Sequence, residues 1–310
     1  MRWNKNIILL AVLALIVLMI WAFHTPDLPL DTLKEKYTNT ASRFVAIEGM
    51  SIHYRDEGPR TDSIPLFLLH GTASSLHTWD SLILKFPHKR IIRLDLPGYG
   101  ITGPHPTADY STQMYMRVLD SLTAQLAINQ CILAGNSFGG LLAWQYALQH
   151  PSVKGLVLID AAGFPSKAKG GNLGFRIARM PVLNQLVKYF TPRSLFEKSL
   201  QQSFGNPNIV TDALVTRHYE LTLRPGNRKA IIDRFANREK IDTARLTAIK
   251  IPVLIQWGAL DQVIPVENAW RFHHALPNSE LVIYPKLGHV PMEEDASALA
   301  RDIQQWLSKM

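Results

Sequence analysis

The chain has 310 residues, 47% of them hydrophobic, which suits one large domain or two ordinary ones with a full core. Its single cysteine excludes an intramolecular disulfide and a cysteine-based metal site. The net charge of +8 is concentrated in residues 164–245, which carry 15 Lys and Arg against 6 Asp and Glu; no recognition-helix or aromatic-basic pattern accompanies it, so nucleic acid is not an expected partner.

In chain order, the first feature is Ile7–Phe23, seventeen residues without a charge. As a helix it would span roughly 25 Å at about 1.5 Å per residue, the short end of a membrane crossing. Arg2 and Lys5 precede it, and Asp27, Asp31 and Glu35 follow among Lys34 and Lys36. The positive-inside rule then puts the N-terminus in the cytoplasm and the rest outside, in the periplasm if the source is bacterial, with Trp21 as an interface anchor. The run exceeds the apolar core of a cleaved signal and ends in Trp21-Ala22-Phe23-His24, without a small-residue cleavage pair. Residues 1–24 are therefore expected to be a retained transmembrane signal anchor, and 25–42 a polar tether leading away from it.

Phe44–Ile47 and Ile52–Tyr54 flank Glu48-Gly49 in a hairpin pattern. Further apolar runs at 64–69, 90–95, 131–134, 155–160, 252–257 and 280–284 read as buried strands, and 111–127 has helical periodicity. Near-continuous apolar runs alternating with helices predict a parallel sheet covered on both faces. Residues 163–245 break that rhythm: they lack strand runs and hold helical fragments at 175–180 and 186–190. The expected organisation is a core of 43–162 and 246–310 interrupted by a helical insertion at 163–245.

Within the core, Gly135-Asn136-Ser137-Phe138-Gly139 joins an apolar run to a helical pattern. Gly-x-Ser-x-Gly between strand and helix holds a serine on a strained turn with its hydroxyl above the sheet edge. Strand and helix approach so closely there that Gly135 and Gly139 supply the needed lack of bulk. The helix N-terminus beneath Ser137 offers free N–H groups and a positive dipole end to an oxyanion. The insertion at 163–245 would leave the same sheet edge and lie over Ser137 as a lid.

A serine nucleophile needs a base, and the base an orienting acid. Groups of this kind come from loops at the carboxyl ends of parallel strands. His289 lies just past the last strand and Asp261 just past the one before it; Asp160 also ends a strand and is the alternative acid. The order Ser137, Asp261, His289 is that of α/β-hydrolases. His70 reads as a structural hydrogen-bonder, Asp95 with Pro97-Gly98 as a turn-stabilising residue, and Cys131 as a buried inert thiol. His53, His77, His150, His218, His273 and His274 read as surface or core residues. No His-x-Glu or His-Glu-x-x-His spacing occurs, so no metal is expected.

Leu69-His70-Gly71-Thr72, Asp95-Leu96-Pro97-Gly98-Tyr99-Gly100, Gly135 through Gly140, Trp257-Gly258-Ala259-Leu260-Asp261 and Gly288-His289 follow one another in this order. On these segments the chain resembles the α/β-hydrolase superfamily from about Phe44 to Leu307. With the N-terminal span in front, its architecture is similar to the membrane-anchored monoacylglycerol lipase and esterase branch. The resemblance implies an α/β fold with a mostly parallel eight-stranded sheet, helices on both faces and a helical lid, and no cofactor. It implies Ser137 as nucleophile, His289 as general base and then acid, and Asp261 as holder of the imidazole tautomer. The backbone N–H groups of Thr72 and Phe138 would form the oxyanion hole, each such donor being worth roughly 2.7–4 kcal/mol in the transition state. The expected function is hydrolysis of a carboxylic ester, with lipid-like esters such as monoacylglycerols favoured by the anchor and by a lid that mixes apolar and basic residues. The alternatives are a carbon–carbon bond hydrolase, whose Gly-Asn-Ser-x-Gly elbow this one resembles, an acyltransferase, and a non-enzymatic binding protein of the same fold.

Overall fold

The computed structural model describes residues 24–165, 173–180, 183–237 and 239–310. The elements are α1 (Leu30–Tyr37), β1 (Ser42–Ile47), β2 (Met50–Glu57), β3 (Leu66–Leu69), a 3-10 turn at Leu76–Trp79, α2 (Asp80–Ile83), β4 (Ile91–Leu94), α3 (Thr112–Gln125), β5 (Cys131–Asn136), α4 (Phe138–Ala147) and β6 (Val153–Ile159). Then come α5 (Leu173–Arg179), α6 (Leu183–Val187), α7 (Arg193–Ser203), α8 (Asp212–Thr222) and α9 (Asn227–Ala236). The chain returns to the sheet with β7 (Val253–Gly258), α10 (Glu267–Ala275), β8 (Ser279–Tyr284), α11 (Pro291–Glu294) and α12 (Ala296–Leu307).

The eight strands form one sheet in the order β1-β2-β4-β3-β5-β6-β7-β8. Only the pairs β1–β2 and β2–β4 are antiparallel. The expected hairpin pairs Ile47 with Met50, and Glu48 and Gly49 both take left-handed φ values (52° and 73°), as a two-residue loop matched to strand twist requires. β3, β4, β5 and β7 are buried at every position. Their side chains alternate between the two faces. Phe67 and Leu69 pack with Met114, Leu122, Leu142 and Trp144 of α3 and α4. Leu66 and Leu68 pack on the opposite face with Leu299, Ile303 and Trp306 of α12. The apolar runs were continuous because both faces are covered.

Between β6 and β7 the described residues contain helices and no strand. The expected membrane span at 7–23, with Trp21, lies outside the described residues; among those described, no helix is long and apolar enough to cross a membrane. The stretch read as a polar tether is not a free one. It contains α1, whose Leu33 is buried. The Thr25 and Leu28 amides donate to the Tyr189 and Leu223 carbonyls (2.7 and 2.8 Å). Arg228 donates to Thr25 O and to the Asp27 carboxylate, and Tyr37 and Lys36 both bond Glu220. Residues 25–37 are thus strapped to the helical insertion.

Candidate active site

β5 runs between β3 and β6, so its carboxyl end lies mid-sheet. There Ser137 takes φ 54°, ψ −115°, and α4 begins at the next residue. A left-handed φ at a non-glycine residue costs about 1–3 kcal/mol and is held by its surroundings. Here the Ser137 amide donates to Ile159 O (3.0 Å), and its carbonyl accepts from Leu141 and Ala162 (3.1 and 2.9 Å). A Cβ on Gly139 would stand 2.0 Å from Leu69 O, and one on Gly135 2.3 Å from Gly139 O, which is why the turn admits no bulk on either side. The Asn136 amide donates to Ile159 O and to His289 O (3.2 and 2.9 Å), tying the elbow to the loop after β8.

On that loop, His289 Nδ1 donates to Asp261 Oδ2 at 2.7 Å. The other Asp261 oxygen accepts the Val263 and Ile264 amides (2.7 and 2.9 Å). Facing a carboxylate, Nδ1 carries the ring proton, which leaves Nε2 as a base. Among the described residues neither His289 Nε2 nor Ser137 Oγ is taken by another hydrogen bond, and both residues line one cavity. The His289 amide is itself held by Ser203 O of α7 (2.7 Å). The sequence therefore left two acids at strand ends, and the imidazole is bonded to Asp261. Asp160 lies behind this pair. Its Oδ1 accepts the Gly258 amide (3.0 Å), and its Oδ2 is buried without a partner. Burial first, and then the Asp261 charge, push the Asp160 carboxyl well above the usual carboxylate range.

The ligand atoms of Asp160, Asp261 and His289 lie within 4.8 Å of one another and are the described group that could reach a cation. That donor set fits one poorly. Burial disfavours the charged form of Asp160, and both Asp261 oxygens already accept hydrogen bonds from nitrogen donors.

The β3–α2 loop faces the elbow closely: a Cβ on Gly71 would stand 3.2 Å from Ser137 Cβ. Thr72 and Ser137 share the cavity. Phe138 opens α4, so its amide has no carbonyl one turn back. Thr72 donates no backbone hydrogen bond among the described residues. The cavity has about 1000 Å³ of empty space, part of it open to solvent, and extends under α5–α9. Val187, Leu195, Phe196, Leu200, Ile231 and Ile232 give it a largely apolar wall. Arg228, its buried cation, is engaged by Thr25 O, Thr191 Oγ1 and Asp27.

The supporting residues behave variously. His70 Nδ1 donates to Gly71 O (2.7 Å) and Nε2 accepts from Leu96 (3.0 Å); burial pulls its pKa down to about 4, so it is a neutral structural group. Asp95 accepts the Leu76 and Ile101 amides and His53 Nδ1. Burial pushes its pKa up, but the His53 charge and hydrogen bond prevail and hold it below the usual range. Burial raises the Cys131 thiol to about 12, so the thiolate is suppressed. His53 and His77 belong to this buried network around Asp95 and Arg55. His218, read as a surface or core residue, lines the cavity and contacts Ala73 O and Glu293. Sequence reasoning also missed Glu294, whose carboxylate accepts the Gly205 and Gly288 amides (2.8 and 2.6 Å) and so clips the insertion to the His289 loop. The available signal was the acidic pair Glu293-Glu294 four and five residues past His289.

A family model described as "alpha/beta hydrolase fold" matches residues 64–296. Lipase 3 of Moraxella sp. (strain TA144) is 28% identical over 251 residues, covering 77% of this chain and 75% of that one. 2-Hydroxy-6-oxo-2,4-heptadienoate hydrolase of Pseudomonas putida is 26% identical over 281 residues, covering 86% and 96%. Among solved structures, a membrane phospholipase A, described as a bacterial virulence factor, superposes with a TM-score of 0.76 at 24% identity, covering 98% of this chain and 96% of that one.

Proposed function

The chain belongs to the α/β-hydrolase family, and on that footing we propose that it is a serine hydrolase that cleaves carboxylic esters through an acyl-enzyme on Ser137. The observation that carries this reading is Ser137 on its left-handed elbow, in one cavity with an imidazole whose Nδ1 is fixed on Asp261 at 2.7 Å. His289 Nε2 takes the hydroxyl proton as Ser137 Oγ attacks the ester carbonyl carbon. Asp261 keeps the tautomer and stabilises the imidazolium. The carbonyl oxygen, now anionic, is received by the Thr72 and Phe138 amides. Collapse breaks the acyl–oxygen bond, and the leaving alcohol takes the proton from Nε2. Water then repeats the sequence on the acyl-enzyme and releases the acid.

The apolar wall favours an acyl chain or another uncharged group over a charged one. A carbon–carbon substrate of the kind named for the Pseudomonas relative is the second reading; the Gly-Asn-Ser elbow favours it, while the prior engagement of Arg228 speaks against an anionic substrate. The discriminating experiment sets a panel of nitrophenyl esters of increasing acyl length against a vinylogous diketone. Ester turnover that rises with acyl length supports the proposal, and preference for the diketone overturns it. We further propose that residues 7–23 anchor the chain in a membrane with the catalytic part on the non-cytoplasmic side, as the uncharged stretch and its flanking charges support. The basic insertion would face lipid to a lesser degree than its charge suggests, since Arg193, Arg217, Arg228 and Lys229 are paired within the protein.

A further inference from the structure

The oxyanion role of Thr72 raises the question of what holds its loop in place. The loop runs Gly71-Thr72-Ala73-Ser74, and Ala73 takes a left-handed φ of 58°, a conformation an alanine does not keep without outside support. The core supplies one contact, His70 Nδ1 to Gly71 O. The other two come from the helical insertion. His218 of α8 donates from Nδ1 to Ala73 O (3.2 Å), with Arg217 and Glu293 around its Nε2. Arg234 of α9 donates from one terminal nitrogen to Thr72 Oγ1 (2.8 Å). The same guanidinium lies over the Phe138 ring, 4.2 Å from its centroid, and over Phe235 at 4.5 Å. Phe138 also packs T-shaped with Tyr115, ring centroids 5.2 Å apart. One planar cation therefore touches both residues whose amides would receive the oxyanion. Among the described residues Arg234 has no carboxylate partner.

We propose that Arg234 is a positioning residue: it bridges the side chains of Thr72 and Phe138, sets the spacing of their two amides, and so makes the oxyanion hole depend on the seating of the insertion, with His218 as the second hold on the loop. This rests on the serine-hydrolase reading above. A fixed pair of donors acts mainly when charge develops on the carbonyl oxygen, so the bridge affects the transition state more than ground-state binding. Lysine would keep a charge and one hydrogen bond to Thr72 but would lose the flat stack on Phe138.

The test uses the full chain with a short nitrophenyl ester, which does not reach deep into the cavity. Arg234→Gln is expected to lower kcat by about 10- to 100-fold, less than the roughly 10²–10³ lost when a donor is removed outright. KM should stay within about twofold, and inhibition by a trifluoromethyl ketone, which forms the oxyanion, should weaken by the same factor as kcat. Arg234→Lys should recover part of the loss. Thr72→Val removes the acceptor, so its effect and that of Arg234→Gln should be non-additive in the double variant. A kcat unchanged in Arg234→Gln, a loss confined to KM, or strictly additive effects would overturn the bridge. If Arg234→Gln fails to fold, Arg234→Lys and Thr72→Val carry the same comparison. Ser137→Ala, assayed in parallel, separates the two levels. Activity surviving in that variant overturns the serine reading and the hole together. Activity lost there but unaffected at Arg234 overturns the bridge alone.

Discussion

Replacing Asp261 by Asn probes the hydrogen bond on which the base depends. One Asp261 oxygen accepts two backbone amides and the other accepts His289 Nδ1–H. An asparagine has one oxygen and one NH₂ to share between them. Two amide donors facing the first position require the oxygen there, so the NH₂ must face Nδ1. The imidazole can avoid a donor–donor clash only by moving its proton to Nε2, and it then cannot accept the Ser137 proton. This tautomer exchange is expected to cost about 10⁴-fold in turnover, equivalent to about 5.4 kcal/mol of barrier. Asp160→Asn replaces a group whose charge burial already disfavours and which makes no hydrogen bond to His289 among the described residues, so it should cost less than about tenfold. Turnover of a nitrophenyl ester and melting temperature, measured on both variants, decide the matter. Folded Asp261→Asn within tenfold of the parent, or Asp160→Asn with the larger loss, would refute the assignment.

Three further outcomes follow from the same geometry. Gly139→Ala must separate α4 from the end of β3, because its Cβ would meet Leu69 O at 2.0 Å; a loss of about 1–3 kcal/mol in urea unfolding and of most activity is expected, and a silent substitution would contradict the packing. Glu293, four residues past His289, is partly buried; burial raises its pKa, but Arg217 first, with His218 and Thr78, outweighs this and brings it from 4.5 down to about 2. A lowered acid stabilises the fold above its unfolded pKa and loses that contribution as pH falls from about 4.5 towards 2, an amount of about 3 kcal/mol, so the stability gap between the parent and Glu293→Gln should shrink between pH 6 and pH 3; a constant gap would show that the ion pair is not the cause. For the N-terminus, a reporter fused after Met310 should be active only outside the cytoplasm and the chain should resist an alkaline carbonate wash, whereas release of a shortened soluble form would mean a cleaved signal.

Much of this molecule is legible in its sequence because the relevant forces are local. Strands covered on both faces are largely apolar, so β3 to β7 announce themselves, and a turn needing two left-handed residues is marked by Glu48-Gly49. The elbow is equally local, since Gly135, Ser137 and Gly139 answer to sterics within five residues. What stayed hidden depends on partners far along the chain. α1 has a polar sequence with one buried leucine, and its place is set by Glu220 and Leu223, nearly two hundred residues away. Strand-end position alone left Asp261 and Asp160 both open; the family resemblance pointed to Asp261, and it is Asp261 that His289 Nδ1 bonds in the folded chain. Arg234 and His218 look in sequence like ordinary charged or polar residues of a basic segment, and only the folded insertion brings them to Thr72 and Ala73; likewise nothing local announces that Glu294 meets Gly205, 89 residues away.

The most direct test of the central claim is covalent labelling of the full chain with a fluorophosphonate, followed by identification of the modified residue and assay of Ser137→Ala. The account predicts stoichiometric labelling at Ser137 that abolishes ester hydrolysis, and a folded Ser137→Ala that neither labels nor turns over substrate, since the members of such a triad act as a unit. Label on another residue, or substantial hydrolysis by the folded Ser137→Ala protein, would contradict it.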